Sequence, residues 1–173
     1  LVTHQSKPAG IDVNQHNRDS WDRNVRRGCR WSIPVDRAEI GAARRGKWKM
    51  FLSPTRAIPS SWLGDIPGRS VLCLAGGGAQ QGPIVAAAGA EVVVLDQSPA
   101  QLEVDRLVSQ RDGLNLRLVE GSMDDLSMFA AASFDLIVNR VSNCYVPDVR
   151  PVWREAHRAP DALMRHAGCM RDH

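Results

Sequence analysis

The 173-residue chain is long enough for one domain with a hydrophobic core and too short for two comfortable ones. Its composition, 43% apolar and 24% charged with a formal net charge of +3, is typical of a globular protein. The longest apolar stretch, residues 84–95, is too short to cross a bilayer. The polar first ten residues lack the apolar segment of a signal peptide, so we expect a cytoplasmic protein without a membrane segment.

Four widely spaced cysteines, Cys29, Cys73, Cys144 and Cys169, form no CxxC pair and indicate free thiols with no metal site. Positive charge is concentrated in residues 1–68, which also contain four of the five tryptophans. We interpret that segment as a solvated face with aromatic packing anchors, because its charges are interspersed. A nucleic-acid surface would have a similar composition and is the alternative.

Residues 1–68 are expected to form helices and loops, with the first ten residues disordered. A weak helical pattern covers residues 18–27. Asp36 and Glu39 predict a capping box at the start of a second helix, which would end at Gly46. A proline-rich loop then leads to Gly68.

After Gly68, predicted strands and helices alternate. Strands are expected over residues 71–74, 91–95, 114–118 and 134–138, with the third nearer a sheet edge. Helices are expected over residues 82–88 and over residues 99–113, the second beginning with a capping box of Ser98 and Gln101. A short helix is expected before the fourth strand, and a further helix is expected after Asp148. This alternation predicts an α/β fold in which a parallel sheet is covered by helices on both faces.

Two features lie directly after the first two strands, at the edge where such sheets bind ligands. The loop after the first strand contains Gly76, Gly77 and Gly78, whose missing Cβ atoms let a ligand approach the backbone. Asp96 ends the second strand about 20 residues later, the spacing of a carboxylate that accepts hydrogen bonds from a ribose diol.

A third feature, residues 121–124, follows the third strand. A carboxylate at Asp124 can accept a hydrogen bond from the exocyclic amine of adenine, and Met123 can cover the ring. Alternatively, Asp124 and Asp125 could cap the next short helix.

As an ordered set, these motifs resemble the class I S-adenosylmethionine-dependent methyltransferases, and specifically the small-molecule methyltransferase-domain group called type 11. The resemblance covers residues 69–158 and rests on the strings VLCLAGGG at 71–78, VVVLD at 92–96 followed by Ser98, GSMD at 121–124 and SFDLIV at 133–138. It implies a Rossmann-like fold, S-adenosylmethionine as cofactor and a small-molecule acceptor, with neither nucleic acid nor membrane as a partner.

The resemblance also implies the site. The glycine loop would line the methionine and ribose, Asp96 would hold the ribose hydroxyls, Met123 with Asp124 would contact the adenine, and Asn139 would face the sulfonium. The full set of candidate cofactor-binding residues is Ala75, Gly76, Gly77, Gly78, Asp96, Gln97, Ser122, Met123, Asp124 and Asn139. The chain departs from the family at Cys73, where an acid is frequent, and at Ala79, where glycine is frequent.

No residue is assigned as a catalytic base, because methyl transfer depends mainly on alignment and exclusion of water. The residues that could contact the acceptor are Asn139, Asn143, Tyr145 and His16. The family resemblance further suggests that residues 1–68 form a lid over the cofactor.

The alternating pattern of strands and helices stops after Arg158, and we predict that residues 159–173 form an aberrant tail. The expected sheet therefore lacks the last strands of the seven-stranded methyltransferase fold, which is typical of a truncation or frameshift. We expect the exposed edge of the fourth strand to promote self-association and to reduce or abolish activity. The competing hypotheses are an NAD(P)-dependent oxidoreductase and a non-catalytic nucleotide-binding module.

Overall fold

The computed structural model describes residues 12–53 and 55–159. Its helices are α1 (Val13–Arg26), α2 (Arg37–Arg44), α3 (Ser60–Leu63), α4 (Gly82–Ala87), α5 (Pro99–Asp112) and α6 (Val149–Arg158). Its strands are β1 (Phe51–Ser53), β2 (Arg56–Ala57), β3 (Ser70–Leu74), β4 (Glu91–Asp96), β5 (Leu116–Glu120) and β6 (Leu136–Asn139). Two 3₁₀ turns cover Arg30–Ser32 and Ser142–Tyr145. In these ranges no helix has the length and apolarity needed to span a membrane.

Strands β3 to β6 form one parallel sheet in the order β5-β4-β3-β6. The chain builds outward from β3 to β4 and β5, then returns to pair β6 with the other side of β3. This reversal leaves a crevice beyond the carboxyl ends of β3 and β6, where ligands bind in open α/β sheets. The predicted α/β class is confirmed, and β5 and β6 are the edges of the sheet within the described residues. Self-association through the β6 edge stays a prediction.

Both faces of the sheet are covered, as the nearly continuous apolar strands require. On one face, α4, α5 and the segment around α3 pack against the sheet; their buried contacts include Val85, Leu102 and Leu63. On the other face, α6 and the β5–β6 connection bury Val152, Leu126 and Phe134, among others. Ala159, the first residue of the predicted tail, is buried in that same cluster. Residues 1–10 and 160–173, for which disorder and an aberrant tail were predicted, lie outside the described residues.

The predicted capping box of α2 is confirmed: the Glu39 amide donates to Asp36 Oδ1 and the Asp36 amide to Glu39 Oε2, both at 2.8 Å. The helix ends at Arg44, two residues before Gly46. The predicted box of α5 is wrong in its second half. Ser98 Oγ accepts from the Gln101 amide, but the Ser98 amide donates to Asp96 Oδ1 at 2.9 Å. Asp96 therefore replaces the Gln101 side chain as the partner of this amide.

The short helix predicted between β5 and β6 is absent from the described residues, which form turns there. Leu126 and Phe129 insert into the core, and their carbonyls accept from the Arg158 guanidinium at 2.7 and 3.0 Å. Because an α6 side chain satisfies these carbonyls, the segment needs no helical hydrogen bonds. The predicted N-cap of α6 is confirmed, since Asp148 Oδ1 accepts from the Arg150 amide at 3.0 Å.

Candidate functional site

The glycine loop joins β3 to α4 and packs too closely against α5 to accommodate side chains. A Cβ atom at Gly77 would lie 2.7 Å from Gln101 Cβ and 3.0 Å from Asp96 Oδ2. Gly78 has φ +95°, and a Cβ atom there would lie 2.7 Å from Gln101 Oε1. The loop consequently exposes backbone, rather than side chains, to the crevice.

Asp96, at the end of β4, is buried and holds this loop in place. Its Oδ2 accepts from the Gly77 amide at 3.0 Å and its Oδ1 from the Ser98 amide at 2.9 Å. Burial raises the pKa of the carboxyl, which the amides of Ser98 and Gly77 oppose and Asp22 slightly reinforces. Each oxygen keeps a lone pair beyond its amide contact, so the group can accept further hydrogen bonds from a ligand.

A second buried acid, Asp105 of α5, supports the loop from behind, and we did not predict it. Its Oδ2 accepts from the amides of Gly78 at 2.8 Å and Ala79 at 3.0 Å. Burial raises its pKa to about 7, against the opposing effect of these two amides and with a contribution from Asp96. The sequence signal was an acid on the apolar face of an amphipathic helix, which needs a buried partner.

The N-terminal segment is tied to the far side of the same loop. The Val35 amide donates to the Ala79 carbonyl at 3.0 Å, and Gln80 Nε2 donates to the carbonyls of Arg30 and Ile33, also at 3.0 Å. These bonds place Trp31 at the mouth of the crevice, where 38% of its surface is exposed.

Helix α1 closes another side of the crevice. Asp22 Oδ1 accepts from Ser98 Oγ at 2.6 Å and from the Ala100 amide at 3.2 Å, which places its negative charge at the N-terminus of α5. Trp21 packs edge-on against Tyr145 with the ring centroids 5.6 Å apart. Asn17 Nδ2 donates to the Tyr145 carbonyl at 2.7 Å. Sequence patterns alone did not predict these contacts, because they join segments that are at least 76 residues apart.

Together these elements enclose a cavity of about 280 Å³ beyond the carboxyl ends of the strands. Six of the ten predicted site residues line it: Ala75, Gly77, Asp96, Gln97, Ser122 and Met123. The cavity lining also includes residues that we did not predict as cofactor contacts: Asn14, Trp21, Trp31, Gln80, Gln81, Gln101, Gly121, Arg140, Val141, Ser142, Tyr145 and Val146.

Four predicted site residues do not line the cavity. Gly76 and Gly78 are buried within the loop, and Asp124 is half-buried beside Met123. Asn139 is buried at the end of β6, where its Nδ2 donates to Asn143 Oδ1 at 2.8 Å.

Buried polar atoms around the cavity retain unused capacity. Within residues 12–53 and 55–159, the side-chain oxygens of Gln81 and Gln101 have no hydrogen-bond partner. Buried acceptors without partners are costly, and a ligand that brings N–H or O–H donors would satisfy them. The cavity therefore favours a ligand rich in donors.

The two departures from the family motif have distinct structural outcomes. Cys73 is buried in β3, and burial with the nearby Asp105 raises the pKa of its thiol to about 12, so it is neutral. Ala79 has φ +57° and thus adopts the left-handed conformation that glycine would adopt without strain. The loop keeps a glycine-like path at Ala79, whereas Cys73 provides no negative charge.

Of the four candidates for contact with an acceptor, Tyr145 lines the cavity, and Asn139 and Asn143 lie next to each other at the end of β6. His16 on α1 does not line this cavity. Among the described residues, no group of three His, Cys, Asp or Glu side chains could hold a metal ion.

Comparison with known proteins links this architecture to one family. A family model described as a methyltransferase domain matches residues 72–161. A protein of Bacillus subtilis (strain 168), described as an uncharacterized methyltransferase, is 49% identical over 143 residues, which make up 83% of this chain and 56% of the relative. The chain thus spans little more than half the length of that relative.

Solved structures show the same fold at low identity. The magnesium protoporphyrin IX methyltransferase of Synechocystis PCC 6803 with bound S-adenosylmethionine is 17% identical; the match covers 90% of this chain and 75% of that one, with a TM-score of 0.61. A methyltransferase structure from Methanococcus maripaludis is 16% identical, with coverages of 90% and 63% and a TM-score of 0.54. The domain match, together with the parallel sheet and its crevice, establishes that this chain belongs to the methyltransferase-domain family.

Proposed function

We propose that the cavity binds S-adenosylmethionine and that the protein transfers its methyl group to a small-molecule acceptor. The observation that carries this proposal is the position of Asp96. Its carboxylate is buried, is fixed by two backbone amides and still faces the cavity. One such carboxylate can accept hydrogen bonds from both hydroxyls of a vicinal ribose diol.

The other donors of S-adenosylmethionine suit the remaining polar atoms of the cavity. The ligand carries an ammonium group, a ribose diol and an adenine amine, whereas Gln81 and Gln101 present buried oxygens without partners in the described structure. Gly77 and Asp96 both line the cavity, so the methionine part of the ligand can lie against the backbone at Gly77 when the ribose is at Asp96. The ligand is rich in hydrogen-bond donors and the lining of the cavity is rich in acceptors, so the two are complementary.

The adenine is assigned to the wall formed by Ser122 and Met123, which follow β5. Met123 is 95% buried but still contributes to this wall, so its thioether can cover an apolar ring. Asp124 lies beside it, outside the cavity lining, and would need to turn its carboxylate inward to accept from the adenine amine.

When bound, S-adenosylmethionine supplies a methyl group activated on a positively charged sulfur. The residues of this chain position the cofactor and exclude water, which are the main requirements of this reaction. Trp21, Trp31 and Tyr145 provide aromatic walls around the cavity. We assign no catalytic base. The N-terminal segment acts as a lid, since Trp31 and α1 reach the cavity from outside the sheet.

Titration calorimetry with S-adenosylmethionine, S-adenosylhomocysteine and NAD tests the proposal. We expect the first two to bind and NAD to bind at least tenfold more weakly. Asp96→Ala should weaken cofactor binding by about 1.5–3 kcal/mol, the contribution of hydrogen bonds to a charged group.

Asp135→Ala is the matched control. Asp135 also accepts a hydrogen bond from a backbone amide, that of Ser70 at 2.8 Å, but at the amino ends of β3 and β6, away from the cavity. We expect it to lower stability without changing cofactor affinity. Tighter binding of NAD, or equal affinities in the parent and Asp96→Ala, would refute the proposed function.

A further inference from the structure

A second and larger depression adjoins the cofactor cavity. It is an open groove of about 870 Å³ between the loop that follows α2 and the start of α4. Trp31, Gln80, Gln81 and Arg140 line both the groove and the cofactor cavity. A methyl acceptor must lie next to the cofactor, and this groove is therefore placed to hold one.

The groove is positively charged. Arg30, Lys47, Lys49 and Arg140 line it, and Glu39 is the acid among its lining residues. The Glu39 carboxylate is already engaged by the Asp36 amide in the α2 capping box. Within the described residues, none of the four basic side chains forms an ion pair with a carboxylate. Arg30 instead lies over the Trp31 ring, 4.6 Å from its centroid, which leaves Lys47, Lys49 and Arg140 as the cations available to an anionic ligand.

The groove also has exposed apolar walls. Trp31, Ile33 and Phe51 are among the seven large hydrophobic residues that are exposed in the described structure, and all three line this one groove. Trp48 adds a half-buried indole. Clustered exposed aromatic and aliphatic side chains mark a binding surface, in contrast to the isolated ones found on any protein. Flat aromatic walls favour a flat ligand.

Arg140 lies at the junction of the groove and the cofactor cavity. Its guanidinium is half-buried, its Nε is buried, and this Nε has no hydrogen-bond partner in the described part of the chain. Burial lowers the pKa of this group, as expected for a cation without a counter-ion. An anion bound beside it would offset the cost of burying an unpaired charge.

We propose that this groove is the acceptor site and that it binds a flat, apolar molecule bearing a carboxylate or a phosphate. The inference rests on the proposed function, since it identifies the class of substrate for the same methyl transfer. The anionic group pairs with Lys49 and Arg140, and the flat apolar part lies against Trp31 and Trp48. The acceptor is thereby oriented toward the wall that both depressions share.

Three probes of matched shape test the class of ligand: 2-naphthoate, 2-naphthyl phosphate and the neutral naphthalene-2-carboxamide. Calorimetry should show that one or both anions bind at least tenfold more tightly than the amide, and which anion binds better identifies the acidic group. Lys49→Gln and Arg140→Gln should each reduce that preference to less than threefold. Arg106→Gln, which removes an exposed cation of α5 that lines neither depression, should leave this preference unchanged.

Binding of S-adenosylhomocysteine is measured in the same samples, and thermal unfolding checks that each variant is folded. Equal affinities for the three naphthalenes, with S-adenosylhomocysteine binding intact, would overturn the acceptor inference alone. The same loss of preference in Arg106→Gln would also overturn it. Absence of S-adenosylhomocysteine binding from the parent protein would instead mark a failure of the proposed function.

Discussion

The two sides of the cofactor cavity are built in different ways. The floor, formed by the glycine loop, Asp96 and Asp105, is held by four hydrogen bonds between buried carboxylates and backbone amides. The other side is formed by α1 and Trp31, which belong to the proposed lid, and by residues 140–146; we call it the lid side, and it contributes mostly side chains, several of them exposed. The floor is therefore a fixed backbone surface, whereas the lid is a set of aromatic and aliphatic contacts.

This difference separates two tasks. A rigid floor preorganises acceptors for the ribose, which favours affinity and alignment. A lid made of side chains can open to admit and release ligands at a small cost in stability. Changes that disturb the packing of the floor should thus impair binding and folding together, and changes in the lid should affect binding with little loss of stability.

Gly77→Ala should have the largest effect. The new Cβ atom would lie 2.7 Å from Gln101 Cβ, so the loop or α5 must shift away from Asp96. Overpacking of this kind costs about 1–3 kcal/mol, and we expect cofactor affinity to fall about 10- to 100-fold. Gly41→Ala is the control, since a Cβ atom in that α2 position meets only the flexible end of Arg45 at 3.4 Å. Equal cofactor dissociation constants for the two variants would show that the loop is not packed as described.

Asp105 should make the floor sensitive to pH. Its pKa is about 7 in the folded protein and near 3.8 when unfolded, so folding retains a proton that the unfolded chain releases. Stability from this group is complete below about pH 4 and is lost as the pH rises through 7. Asp105→Asn cannot ionise, and its oxygen can still accept from Gly78 and Ala79.

The Tm of Asp105→Asn should therefore exceed that of the parent by at least about 5 °C at pH 8, and the difference should be much smaller at pH 5. Thermal unfolding followed by circular dichroism measures both. A difference in Tm that does not change between pH 4 and 8 would mean that Asp105 is ionised throughout this range.

The smallest effect is expected on the lid side, at Val141. This β-branched residue has φ +37°, an unfavourable conformation that glycine adopts without strain. Val141→Gly should raise the free energy of unfolding by about 1 kcal/mol and weaken cofactor binding slightly, because the side chain lines the cavity. Ala132→Gly relieves a similar φ of +55° at an exposed position away from the cavity. Ala132→Gly should raise the free energy of unfolding by about the same amount and leave cofactor binding unchanged. If Ala132→Gly weakened cofactor binding as much as Val141→Gly does, Val141 would not be a wall of the cavity.

The floor, apart from Asp105, was predictable from sequence because its signals are local. Strand ends, the glycine run and Asp96 follow one another within a single strand–helix–strand unit, and the structure brings Gly77 and Asp96 together at 3.0 Å. The capping box assigned to Ser98 and Gln101 was wrong for a physical reason that sequence spacing does not show. The Ser98 amide donates to Asp96 Oδ1, which the end of β4 holds at 2.9 Å, and Gln101 Oε1 has no hydrogen-bond partner in the described residues.

The lid was only partly predictable. The tryptophans of residues 1–68 suggested a cover, but nothing in the sequence pairs Trp21 with Tyr145 or places Arg140 between two depressions. These contacts depend on the docking of α1 and on the left-handed turn at Val141. Such features arise from tertiary packing, which neither periodicity nor motif spacing encodes.

A crystal structure of the protein with S-adenosylhomocysteine tests the central claim most directly. We expect the ligand in the cavity between floor and lid, with both ribose hydroxyls within about 3 Å of the Asp96 carboxylate, the distance of a charge-assisted hydrogen bond. The adenine should contact Met123, and the hydrogen bonds that the loop amides donate to Asp96 and Asp105 should remain. A ligand bound elsewhere, or a ribose whose hydroxyls do not reach Asp96, would contradict the account.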